Sequence, residues 1–124
     1  MALIDRQFAE RFAHDWIEAW NSHDLDRILA HYTDDFEFSS PKIVELMGEP
    51  TGTLTGKDAI RPYWARALAR TPDLTFTLRT VLTGIDSIVL YYEGAAGRLA
   101  AEVFEFGDHA LVRRSSAHYE VGGA

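Results

Sequence analysis

From Asp5 to Trp20 apolar residues recur at helical spacing, at Phe8, Phe12, Trp16 and Trp20, with Ala9, Ala13 and Ile17 beside them. Gln7, Glu10, Arg11, His14 and Glu18 fill the opposite side. This pattern predicts a long amphipathic helix. Asn21-Ser22-His23 interrupts it, Asp24 is placed to cap a second helix, and Leu25, Ile28, Leu29 and Tyr32 form that helix's apolar stripe. The alternation from Phe36 to Ser40 predicts a short strand stopped by Pro41. Residues 42–55, with Gly48, Pro50 and Gly52, read as an excursion or ragged hairpin. A third helix follows Gly56, with Ile60, Tyr63, Trp64, Ala67 and Leu68 on its buried side; Pro62 should kink it or delay its start.

The remainder alternates with period two and predicts four strands: Leu74 to Leu82, Ser87 to Glu93, Arg98 to Phe106 and Leu111 to Tyr119. The connections Gly84-Ile85-Asp86, Gly94-Ala95-Ala96-Gly97 and Gly107-Asp108-His109 are of hairpin length, so successive strands should pair antiparallel. Helices segregated onto one face of an antiparallel sheet define an α+β fold, taken as one domain over residues 1–124. Leu74, Phe76 and Leu78 alternate with Thr75, Thr77 and Arg79, giving that strand one dry face. The strands between Ser87 and Phe106 are apolar on both faces, which implies that the outer face is covered, most simply by a second copy of the chain.

Charge and composition narrow the partners. With 12 basic and 19 acidic side chains the net charge is -7, which repels phosphate backbones and anionic lipid surfaces, so neither nucleic acid nor membrane is expected. Arg61, Arg66 and Arg70 read as the wet face of a helix, and Arg113-Arg114 as a doublet whose members point opposite ways. The chain has no cysteine, which removes disulfides, thiolate metal sites and cysteine nucleophiles. No leader pattern or long apolar span is present, so a cytoplasmic location is the default. His14, His23, His31, His109 and His118 show no metal-ligand spacing, and neither a metal nor another cofactor is expected. Ser39 and Ser40 lie in no nucleophile elbow, and Gly48, Gly52 and Gly56 form no phosphate loop.

The informative residue is Glu102 in Arg98-Leu99-Ala100-Ala101-Glu102-Val103-Phe104-Glu105-Phe106. As a strand, this segment puts Ala100, Glu102, Phe104 and Phe106 on one face. A carboxylate in such an apolar row is costly unless its environment has a use for it. Burial without a cation raises its pKa and makes it a proton donor or a poised base near neutrality. The alternative is a solvent-facing or sheet-rim residue, or one bound in a contact between copies.

Trp20 to Phe38 (WNSHDLDRILAHYTDDFEF), Gly56 to Trp64 (GKDAIRPYW) and Ala101 to Phe106 (AEVFEF) resemble the nuclear transport factor two-like superfamily, which includes ketosteroid isomerases and SnoaL-like polyketide cyclases. The resemblance implies a cone: a bent antiparallel sheet packed against three helices, enclosing an apolar pocket, with the outer sheet face used for a homodimer. In the isomerases the position matched by Glu102 holds a carboxylic acid kept neutral by its apolar site. Their catalytic aspartate corresponds to Ser40, which is no base. Their phenol donor corresponds to Trp16, and their supporting tyrosines to Tyr32 and Trp64. SnoaL-like cyclases rely on one carboxylate for carbon–carbon bond formation, and Glu102 is the matching acid.

The expectation is therefore a cofactor-independent isomerase or cyclase acting on a hydrophobic, steroid- or polyketide-like molecule, with Glu102 as catalytic acid and base. Trp16, Tyr32, Phe38, Ser40, Tyr63, Trp64, Phe104, His118 and Tyr119 are the candidate substrate-binding residues. The family's pattern points Tyr119 inward and His118 outward, and a bulge after Arg113 would swap them, so His118 is kept as a second pocket acid or base. The alternative function is a non-catalytic dimeric binding or interaction module, and for the aromatic residues the alternative role is plain core packing.

Overall fold

The computed structural model describes residues 4–121, so the ends of the 1–124 unit lie outside the described residues. The first helix, α1, spans Arg6–Ser22; the Asp5 side chain caps it by accepting the Phe8 amide at 2.7 Å. Its stripe of Ala9, Phe12, Ala13, Trp16, Ala19 and Trp20 is buried, as the periodicity predicts. His23 ends α1 in the left-handed region, and α2 follows at Leu25–Leu29 under the Asp24 cap. Tyr32, expected on the stripe of that helix, is instead the first residue of strand β1, Tyr32–Ser39.

Within residues 42–55 the chain is more ordered than its glycines suggest. Helix α3 runs Pro41–Met47, with the Ser40 hydroxyl accepting the Lys42 amide, Pro41 in the first turn and left-handed Gly48 closing it. Strand β2, Thr53–Thr55, then pairs antiparallel with β1. Pro41 therefore starts a helix as well as ending a strand. Helix α4, Lys57–Arg70, begins immediately after Gly56 with Pro62 inside it, so its start is not delayed. Pro62 lies on the exposed side, where water can satisfy the carbonyl that it leaves unbonded.

Strands β3 (Thr77–Thr83), β4 (Ser87–Glu93), β5 (Leu99–Phe106) and β6 (Val112–Tyr119) complete a sheet ordered β2-β1-β6-β5-β4-β3. All neighbours are antiparallel except β1 and β6, which run parallel. The sheet is curved and unclosed, and register shifts in β1, β3 and at the β5–β6 pairing supply local bends.

Helices α1 and α4 fill the concave face. Phe12 meets Phe104 and Phe106 edge-on at 4.9 and 5.0 Å between centroids, and Trp16 meets Phe104 at 5.2 Å. Trp64 of α4 contacts Trp20, Tyr32 and Phe38 at 5.1 to 5.3 Å. The amide of Asn21 clamps the strand entry by accepting from the Phe76 amide at 2.7 Å and donating to its carbonyl at 3.0 Å. That two-point bond joins the end of α1 to the edge of the sheet and holds Phe76 over Trp16.

The shift between Glu105 and Phe106 pairs Phe106 with Val112 and Glu105 with Arg114, leaving Arg113 as the extra residue. Val112, Ser115 and Ala117 consequently share the inner face, while Arg113 and Arg114 are both exposed and both reach Glu105, at 3.5 and 3.9 Å. The doublet does not split between faces, because the bulge absorbs the alternation.

Candidate functional site

Glu102 lies at the centre of β5, opposite Ala117 on one side and Leu90 on the other. Its side chain faces the helices and is 4% exposed. Ala100 and Ala117 are short enough to leave space around the carboxyl, and Tyr92, on the same face of β4, fills one side of it by donating its phenolic proton to Oε1 at 3.1 Å. That hydrogen bond favours the ionised form. Burial, with no cation near enough to offset it, outweighs the bond and pushes the carboxyl up from 4.5 to about 7. At neutral pH both protonation states are populated.

Four phenols experience the charge of this one carboxyl. Burial raises the pKa values of Tyr32, Tyr63, Tyr92 and Tyr119, and Glu102 adds to the rise in each. For Tyr63 and Tyr119 the neighbouring Ser40 hydroxyl partly offsets it. All four stay protonated around neutrality and serve as hydrogen-bond donors.

Glu102 opens onto a cavity of about 110 Å³ between the sheet, α1 and α4. Trp16, Trp20, Phe38, Tyr63, Trp64 and Tyr92 supply its buried wall. Leu74, Phe76, Tyr119, Lys42 and Arg98 line it from partly exposed positions, which places them toward the opening. Of the sequence candidates, Glu102, Trp16, Phe38, Tyr63, Trp64 and Tyr119 meet here. Tyr32, Ser40 and Phe104 are buried one layer back. Tyr32 accepts the Trp16 indole proton at 2.9 Å, Ser40 caps α3, and Phe104 packs on Trp16.

His118 does not join them. It is exposed on the outer face opposite Ala101, because the bulge lies at Arg113 and the alternation beyond it runs unbroken to Tyr119. Its side chain does not line the cavity. The cavity lining includes one carboxylate and no histidine. His14, Asp15 and Glu18 bring potential metal-ligating atoms within 4.8 Å of one another, but on the wet side of α1, away from the cavity.

Sequence reasoning missed Trp20, Phe76, Tyr92, Lys42 and Arg98 as cavity residues. Tyr92 carried a signal, since the four-residue connection before β5 sets a register that puts it diagonal to Glu102. Lys42 and Arg98 carried none, because α3 and the β4–β5 connection bring them in.

This arrangement of a bent sheet and covering helices is shared with known proteins. A sequence profile of the SnoaL-like domain matches residues 13–121, and the chain belongs to that family. A SnoaL-like protein of unknown function from Burkholderia thailandensis E264 is 51% identical, with a TM-score of 0.93 over 95% of this chain and 98% of that one. More distant structures share the fold alone. A candidate ketosteroid isomerase from Kribbella flavida is 17% identical, with a TM-score of 0.68 over 94% of this chain and 80% of that one. A nuclear transport factor two-like protein from Cytophaga hutchinsonii is 10% identical, with a TM-score of 0.67 over 90% and 89% of the two chains. No curated protein sequence is a significant match. No helix among the described residues is long and apolar enough to cross a membrane.

Proposed function

We propose that the protein is an isomerase- or cyclase-type enzyme that moves a proton on a hydrophobic small molecule with Glu102 as its single acid and base. The observation that supports this reading is the buried Glu102 carboxyl, facing the cavity with Tyr92 as its hydrogen-bond partner and poised at about 7. In its ionised form it takes an acidic proton from carbon next to a carbonyl. The Tyr63 or Tyr119 phenol donates a hydrogen bond to the enolate oxygen that forms, and the protonated Glu102 returns the same proton to a second carbon. Proton count and charge are restored at the end of the cycle. A carboxyl near neutrality suits both halves, because neither transfer is then strongly uphill.

Turnover of a panel of hydrophobic ketones and β-dicarbonyl compounds by the native protein and by Glu102→Gln tests the proposal. Loss of turnover in the variant is expected; equal rates in the two would remove the assignment. A second reading, a non-catalytic dimeric binding module, is favoured by Ser40 standing where the isomerases carry their base. On that reading, native mass spectrometry would show a co-purified ligand retained equally by both proteins. The homodimer belongs to both readings. Val89, Tyr91, Ala101 and Val103 form a partly exposed apolar row on the outer face, suited to a second copy.

A further inference from the structure

The proton-transfer reading leaves three cavity donors unused, Lys42, Arg98 and Trp20, each with donor capacity to spare. Lys42 has its ammonium 4.4 Å from the centre of the Tyr119 ring. Arg98 donates from Nη2 to the Glu120 carbonyl at 3.3 Å, while its Nε is buried without a partner. Trp20, 6% exposed, also has an unpartnered indole N–H. Among the described residues neither Lys42 nor Arg98 enters an ion pair. That is notable in a chain with 19 acidic against 12 basic residues, where a cation readily finds a carboxylate.

Arg98 also repels Lys42. After burial, it is the larger of the charges acting on the ammonium and pulls its pKa down; Glu45 pushes the other way more weakly. Two like charges that line one cavity from half-buried positions lack an acceptor-rich negative group. Glu102 does not fill that role, since neither cation acts on it. The cavity thus has a cationic rim and a separate carboxyl end. An apolar cavity of about 150 Å³ is enough to bind benzene. The 110 Å³ here, open at the rim, suits one ring or a short chain better than a four-ring skeleton.

We propose that the ligand of this cavity is a compact carboxylate, its acid group held by Lys42 and Arg98 at the rim and its apolar body lying along Trp16, Trp20 and Phe76 toward Glu102. This rests on the cavity being the ligand site of the proposed function. It goes beyond that reading by fixing the charge and size of the substrate.

The test is titration of tryptophan fluorescence, confirmed by calorimetry at pH 7.5, with 3-phenylpropanoate and with its neutral analogue 3-phenylpropanamide. The acid is expected to bind about tenfold tighter than the amide, the worth of one charge-assisted contact. Lys42→Gln together with Arg98→Gln should erase that preference, weakening the acid far more than the amide, and Lys42→Arg with Arg98→Lys should restore most of it. Equal binding of acid and amide, no binding of either, or a preference that survives the double glutamine variant would overturn the proposal. Glu102→Gln should retain the preference for the acid. If it does so with turnover also unchanged, the acid–base reading falls and the anion site stands.

Discussion

Tyr92 donates to Oε1 of Glu102 at 3.1 Å, from the neighbouring strand and on the same face of the sheet. This bond and burial oppose one another on a single carboxyl, and burial wins. Tyr92→Phe removes the one contact that favours the charged form, so the Glu102 pKa should rise further, by about one unit. A carboxyl ¹³C titration of the variant reads this directly; an unchanged or lower value would show that the bond does not act as described.

The raised pKa also makes stability depend on pH. Unfolded, Glu102 titrates near 4.5; folded, near 7. Between these values the native state holds the proton and the unfolded state has lost it, so this group's contribution is full below pH 4.5 and vanishes as pH rises through 7. The span of the shift corresponds to about 3 kcal/mol. Glu102→Gln does not titrate, and its stability relative to the native protein should increase by about that amount from pH 4.5 to pH 8 in urea unfolding. A flat difference across that range would contradict a buried, unpaired carboxyl.

The indole of Trp16, in the cavity wall, donates at 2.9 Å to the Tyr32 phenol one layer back, and both residues are fully buried. Trp16→Ala should destabilise by about 3 to 5 kcal/mol through lost packing against Phe76, Tyr92 and Phe104. Trp16→Phe keeps a ring and should cost about 1 to 3 kcal/mol, from the unsatisfied phenol and the smaller volume. Chemical denaturation of both variants separates packing from hydrogen bonding.

Ser40 and His118 should respond differently to alanine. Ser40→Ala removes the cap of α3 and should lower stability by about 1 kcal/mol. His118→Ala, on the exposed outer face, should stay within about 0.5 kcal/mol in the monomer and leave turnover unchanged. A loss of turnover in His118→Ala would restore a role that its position denies.

The sequence made the sheet legible where hairpins are short. The loops at Gly94–Gly97 and Gly107–His109 force β4, β5 and β6 to pair in order, and alternation then orients Glu102, Phe104 and Phe106 without further information. Helix α3 was hidden because Ser40-Pro41 signals a strand end and a helix start equally well, and only the returning strand β2 selects the second. Lys42 and Arg98 reach the cavity through tertiary geometry, which no local period encodes. The position of the bulge, at Arg113 with none beyond it, decided between His118 and Tyr119. A one-residue insertion of this kind leaves little trace in composition.

The central claim is that a single carboxyl in the cavity is poised near neutrality. Selective ¹³C labelling of glutamate and titration of the Glu102 resonance, assigned by its absence in Glu102→Gln, measures this with no knowledge of the substrate. A midpoint near 7 is the expected result; a midpoint near 4.5, as for a carboxylate in water, would contradict the account.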